Sequence, residues 1–329
     1  MRRRVRAQIA GLLAGCCLHA QAGQISDIDL GISIEAPGPS GPLQGTFQGP
    51  LPVQGPVVLM IPGSGPTDRD GNNPHGLRAA TYRLLARGLA ARGVTTIRID
   101  KRGMFGSAAA VTDANAVTID DYVADVRSWT AVIRQRTRAS CIWLLGHSEG
   151  ALVAMAAAKK EQDLCGLLLI AAPGRPMGEI LREQITAQRA DASLAGQAGA
   201  VIDALEAGKR VDVDLMPPAL QRLFAPQVQG FLINAFSYDP VQLLRGYAKP
   251  VLILQGRRDM QVHETDARLL DQADPRATLV LLPDVNHVLK SVVSDDGKSN
   301  AATYADPDLP LAPGVVDSIA EFLAAAAEP

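Results

Sequence analysis

Aromatic side chains are scarce in this 329-residue chain: 6 Phe, 5 Tyr and 2 Trp make up 4% of it, too few for the stacking platforms that hold single-stranded nucleic acids. An excess of charge of one sign is missing too. With 32 Lys and Arg against 34 Asp and Glu, and 47% apolar residues, the composition argues against a nucleic-acid surface and against disorder. Only five histidines occur, and no two have metal-ligand spacing. Apart from Cys16 and Cys17 the chain has two cysteines, Cys141 and Cys165, which excludes a disulfide-built miniprotein. No apolar run reaches the roughly 20 residues of a membrane span. What remains is a globular chain with ample core, long enough for one large domain or two ordinary ones.

The first six residues hold Arg2, Arg3, Arg4 and Arg6, and no acid precedes Asp27. An apolar stretch over 9–18 and then Ala20-Gln21-Ala22 complete the pattern of a secretory leader. Cleavage after residue 22 would start the mature chain at Gly23. Leu13-Ala14-Gly15-Cys16 also fits a lipobox, in which Cys16 would be lipidated and become the first residue. A leader retained as an anchor is the third reading, and all three predict export to the periplasm or beyond, where disulfides persist. Cys141 and Cys165 each stand at the start of a short apolar run that reads as a parallel strand. Neighbouring strands lie about 4.8 Å apart, so a bridge between the two is expected, with two buried free thiols as the alternative.

Alternating apolar residues (Ile28, Leu30, Ile32, Ile34) predict a half-buried strand, and residues 43–47, beyond a Pro- and Gly-rich turn, its antiparallel partner. From Val57 on, apolar runs alternate with helical periodicity: strands over 57–61, 94–99, 142–145, 167–170, 251–254 and 278–282, with helices between them over 77–92, from a capping box at Thr118 and Asp121 through Tyr122, Val126, Trp129 and Ile133 on one face, over 151–160 and near 264–272. A doubly wound, mostly parallel α/β sheet is the architecture this implies. The alternation breaks over 174–247, where only helical segments are visible, the last of them interrupted at Pro226. The expected organisation is a leader over 1–22, a core formed by 23–173 and 248–329, and a helical cap over 174–247.

After the strand at 142–145 comes Gly146-His147-Ser148-Glu149-Gly150, and then a helix-forming run. A serine hydroxyl is a weak nucleophile and must stand on a sharp turn with a base at hand, which is the use of G-x-S-x-G between strand and helix. Later strand ends supply the partners. Asp259 follows the strand at 251–254, and His287 follows the one at 278–282, so Ser148, Asp259 and His287 occur in the order such hydrolases use. Asp284 is the rival acid, less favoured because it shares a loop with His287. His147 is expected to point away from the serine Oγ, His263 to start a helix, and His75 to sit in a loop. Backbone donors for an oxyanion are expected at Glu149 and, after the strand at 57–61, at Ser64 or Gly65.

Together with Pro62-Gly63-Ser64-Gly65-Pro66-Thr67-Asp68-Arg69-Asp70-Gly71-Asn72, Asp100-Lys101-Arg102-Gly103, Gly256-Arg257-Arg258-Asp259 and Asn286-His287, these motifs resemble the α/β-hydrolase superfamily, bacterial serine esterases with a helical cap above all. The resemblance covers nearly everything after Gly23. It implies a Ser148-His287-Asp259 triad working through an acyl-enzyme, and it departs from many relatives in having Pro62 where they have histidine. Rival motifs fail: Gly63-Ser64-Gly65 lacks a third glycine for a dinucleotide, and Asp68, Asp70 and Asn72 lack the glycine and glutamate of a calcium loop. Arg102 reads as a structural ion pair. No cofactor or metal is implied. Met216, Leu220, Phe224, Phe231 and Phe236 give the expected cap an apolar wall, which suits carboxylic esters of short to medium acyl chain. Amides or peptides, thioesters and a non-catalytic binding role are the alternatives.

Overall fold

The computed structural model describes residues 31–187, 192–294 and 296–327. The expected leader, Cys16 and the start at Gly23 lie outside them, as do Ile28 and Leu30. An antiparallel hairpin, β1 (Ile32–Pro37) and β2 (Pro42–Gln48), comes first, with Ile32 opposite Phe47. Six further strands follow: β3 (Val57–Ile61), β4 (Thr95–Ile99), β5 (Ile142–His147), β6 (Leu164–Ile170), β7 (Val251–Gly256) and β8 (Thr278–Leu282). They form one eight-stranded sheet in the order β1-β2-β4-β3-β5-β6-β7-β8, parallel from β4 onward, with the hairpin at one edge.

Both faces of the sheet are covered, which is why its central strands are apolar without alternation. Leu59, Leu144, Leu167 and Ile253 face α2 (Ile119–Thr137) and α3 (Glu149–Ala158). Val58, Leu145, Leu168 and Leu252 face α1 (Thr81–Ala90) and α11 (Val315–Ala325). Thr118 starts α2 with a capping box: its Oγ1 accepts from the Asp121 N–H and its own N–H donates to the Asp121 carboxylate. α1 starts at Thr81, later than its periodicity suggests, because the Asn73 side chain accepts from the Leu77 N–H, the Asn72 side chain accepts from the Ala80 N–H, and Ala80 is left-handed.

Between β6 and β7 the described residues are helical: α4 (Met177–Ala187), α5 (Ala192–Glu206), α6 (Pro218–Leu223), α7 (Gln229–Phe236) and α8 (Pro240–Leu244). They carry a small core of their own around Ile202, Leu205, Leu220 and Phe224. α9 (Glu264–Ala273) and α10 (Gly297–Ala302) complete the chain. Cys141 and Cys165 form a disulfide with Cα atoms 5.1 Å apart. Cys165 stands at an irregularity of register, Ile142 pairing with Leu164 but Trp143 with Gly166. No helix among the described residues is long and apolar enough to cross a membrane.

Candidate active site

The chain runs from β3 out to β4 and returns to place β5 on the other side of β3, a switch point at which loops part above the carboxyl edge of the sheet. Ser148 stands there with φ 54° and ψ −125°, a strained backbone for a residue with a Cβ. The glycines around it have identifiable causes. A Cβ on Gly146 would lie 2.3 Å from the Gly150 carbonyl oxygen, and one on Gly150 would lie 2.2 Å from that of Ile61, so only glycine lets strand, turn and helix close up. The Ser148 N–H donates to the Ile170 carbonyl, tying the turn to β6.

Asp259 and His287 come from the loops after β7 and β8. The His287 Nδ1 and the Asp259 Oδ2 are 2.7 Å apart, and both residues are buried. Burial alone would raise the Asp259 carboxyl, but His287 and the N–H groups of Val262 and Gln261 outweigh it and hold it below the usual carboxylate range. The His287 loop is held by its neighbour: Asn286 donates to Asn300 and Thr303 and accepts from the Lys290 N–H. Asp284 is half exposed and faces Arg258 at 3.9 Å, outside this arrangement. His263 precedes α9 and His75 lies in the loop before α1, lining a cavity mouth.

His147 is buried and occupied on both ring nitrogens. Its Nε2 lies 2.8 Å from the His287 carbonyl oxygen and its Nδ1 3.0 Å from the Tyr82 hydroxyl. A carbonyl only accepts, so Nε2 carries the proton and Nδ1 accepts from Tyr82, whose oxygen in turn accepts from the Gly63 N–H at 3.0 Å. One hydrogen-bonded chain thus links the loop after β3, the Ser148 turn and the His287 loop. Burial, with His287 adding to it, pushes His147 down to about 3.

Lys101, two residues past the end of β4, ties the same parts from the other side. Its Nζ donates to the Gly63 carbonyl at 2.7 Å and to Glu149 Oε1 at 3.2 Å, and it lies 5.3 Å from the centroid of the Tyr122 ring. With Gly63 held at its N–H by Tyr82 and at its carbonyl by Lys101, the Ser64 N–H beside it has no partner among the described residues, nor has the Glu149 N–H at the start of α3. Arg102 makes ion pairs with Asp125 and Asp121. Asp68 accepts from the N–H groups of Asp70 and Asn72, and Asp70 pairs with Arg98, so this acidic loop is closed on itself. Tyr82, His147 and Lys101 escape a reading of the motifs; the one available signal is that Lys101 follows a strand on the edge that holds Ser148.

A cavity of about 600 Å³ opens over Ser148, between Ser64, Gly65 and Glu149 below and Phe231, Leu232 and Phe236 from the inserted helices above. Met216, Leu220 and Phe224 are corrections to the expected lining. Leu220 and Phe224 are buried in the small core between the inserted helices, Met216 packs on that core, and none of the three faces the cavity. A smaller space of about 190 Å³ runs beside His287 toward Val288 and Tyr304. No group of three His, Cys, Asp or Glu side chains among the described residues is disposed to hold a metal.

Residues 58–298 match the model of the alpha/beta hydrolase family. Esterase EstD of Thermotoga maritima is 27% identical over 254 residues, 76% of this chain and 57% of that protein, so the chain spans little more than half of that relative. The Pyrococcus furiosus esterase Pf2001 shares the fold at TM-score 0.56 and 15% identity, over 92% of this chain and 96% of that one. Est1E from Butyrivibrio proteoclasticus does so at 0.54 and 16%, over 89% and 99%, and a thermophilic esterase from Thermogutta terrifontis at 0.54 and 20%, over 90% and 99%.

Proposed function

The chain belongs to the α/β-hydrolase family, and from that premise we propose that it is a serine esterase acting on carboxylic esters of short to medium acyl chain. The observation that carries this reading is the buried Asp259-His287 pair, whose histidine lines one cavity together with Ser148 on its strained turn. In the proposed reaction His287 Nε2 takes the Ser148 proton as Oγ attacks the ester carbonyl, while Asp259 holds Nδ1–H and stabilises the imidazolium. The oxyanion is received by the N–H of Glu149 and of Ser64, with Gly65 as the alternative donor. His287 then gives its proton to the departing alcohol, and water, activated by the same histidine, releases the acid.

The helices of 174–247 act as a cap whose apolar side, with Phe231 and Phe236, takes the acyl chain. The basic, apolar N-terminal leader and the Cys141-Cys165 bridge support export, since such bridges persist in oxidising compartments. A fluorophosphonate probe tests the mechanism: the folded protein is labelled and Ser148→Ala is not. Equal labelling of the variant overturns it. Rates on p-nitrophenyl esters from two to sixteen carbons, beside anilides and thioesters, test the substrate class, and faster cleavage of anilides than of every ester would reassign it.

A further inference from the structure

A second cavity, about 400 Å³, adjoins the one over Ser148 and shares with it Gly65, Pro66, Glu149, Val228 and Phe231. It is mostly apolar, but Lys101, Glu149 and Tyr122 meet on its wall, and each is more than nine-tenths buried. Among the described residues the Tyr122 hydroxyl makes no hydrogen bond, although the rest of the side chain is packed against Phe231 and under Lys101. Tyr122 lines the cavity, so its hydroxyl is a donor that a ligand group there can engage in place of water.

The position relative to the reacting atoms decides which half of an ester could reach it. A departing alcohol must lie beside His287 to receive its proton, and the space there runs toward Val288 and Tyr304. The second cavity borders neither Ser148 nor His287, but it begins at Gly65 and Glu149, on the oxyanion side. An acyl chain entering past Phe231 would therefore end there. The chemistry of the wall decides what the end should be. Lys101 and Glu149 neutralise one another, so an anion would compete with Glu149 and a cation with Lys101. Burial, with Glu149 adding to it, raises the Tyr122 phenol and keeps it a donor. A neutral group that both accepts and donates suits this wall.

We propose that the second cavity is an acyl subsite for esters whose chain ends in a hydroxyl, which accepts from the Tyr122 hydroxyl and donates to the Glu149 carboxylate. This rests on the esterase reading and adds a substrate class to it.

Matched ethyl esters of straight-chain and ω-hydroxy acids, from four to ten carbons, with hydrolysis followed by a pH indicator, test it. The expected result is a chain length at which the hydroxy ester has the higher kcat/KM by about tenfold, the worth of one good hydrogen bond. Tyr122→Phe lowers the hydroxy-to-plain ratio at that length by about tenfold. Ala114→Leu, an exposed position at the start of a short 3-10 turn on the cavity wall, lowers the same ratio by filling the space, and so serves if Tyr122→Phe does not fold. A wild-type preference for the plain ester at every length overturns the proposal, as does a Tyr122→Phe or Ala114→Leu variant that folds and leaves the ratio unchanged. Failure to cleave either series would instead overturn the esterase reading itself.

Discussion

Replacing His147 by glutamine should flatten the loss of stability that this protein suffers between pH 7 and pH 5. In the folded chain the ring accepts from Tyr82 on one nitrogen and donates to the His287 carbonyl from the other, so a second proton would have to displace the Tyr82 bond in a buried site. Burial, with His287 beside it, accordingly pushes this histidine down to about 3, while in the unfolded chain it titrates near 6.5. Above pH 6.5 neither state binds the proton and His147 contributes nothing. As the pH falls through 6.5 the unfolded chain takes up a proton that the folded chain refuses, and stability is lost until about pH 3 is reached. At pH 5 the loss from this one group is about 2 kcal/mol, and its limit is about 5 kcal/mol. Urea unfolding at pH 7 and pH 5, followed by the fluorescence of buried Trp129 and Trp143, measures it. Carboxylates titrate alike in both proteins, so the wild type should lose about 2 kcal/mol more than His147→Gln across this interval. An equal loss in the two would refute a neutral, buried His147.

Tyr82→Phe removes the oxygen that serves both Gly63 and His147, and two orphaned groups cost about 1–3 kcal/mol each, less what water from the adjoining cavity restores. Its urea midpoint should fall and kcat should fall more than KM rises; an unchanged midpoint would sink the hydrogen-bonded chain. Asp259→Asn should lower kcat by about 10⁴ with circular dichroism intact, through loss of the group that orients the base, whereas Asp284→Asn should leave rates within twofold. Replacing Cys141 and Cys165 by serine opens a link across 24 residues and should cost about 3–4 kcal/mol on the chain-entropy account; a denaturation curve identical to the oxidised wild type would contradict it.

Ser148 is legible from sequence because the demands on it are local. A buried run, two glycines and a helix-forming run within a few residues admit few conformations, and the backbone strain is confined to the turn itself. The pairing of Asp259 rather than Asp284 with His287 is legible one step further out, from strand order, since an acid on a neighbouring strand's loop can face the ring and one on the same loop turns outward. The lining of the cavity is not legible in this way. Phe224 and Phe231 are seven residues apart, two turns of a continuous helix, and should share a face. The chain breaks between α6 and α7, the phase is lost, and Phe224 turns into the small core while Phe231 turns to the cavity. Apolarity states that a side chain is buried, and it carries no information on what it is buried against.

The same reasoning explains why the contacts of Lys101 and His147 are not legible in the sequence. Lys101 reaches Gly63 and Glu149 across 38 and 48 residues of chain, and His147 reaches Tyr82 and His287 across 65 and 140. Each contact exists only because parallel strands bring their carboxyl ends to one edge. Gly63 is the point at which the two sets of bonds meet, held at its N–H through Tyr82 and at its carbonyl by Lys101. The backbone donor next to it, at Ser64, is thereby fixed by residues from β4, β5 and α1 rather than by its own loop. In the proposed reaction a donor so held would need little rearrangement as charge develops on the substrate oxygen, which is the condition under which hydrogen bonds to a transition state are worth most. The buried Lys101-Glu149 pair is a doubtful contributor to stability, because desolvation offsets attraction, so its value lies in the position it imposes on Gly63.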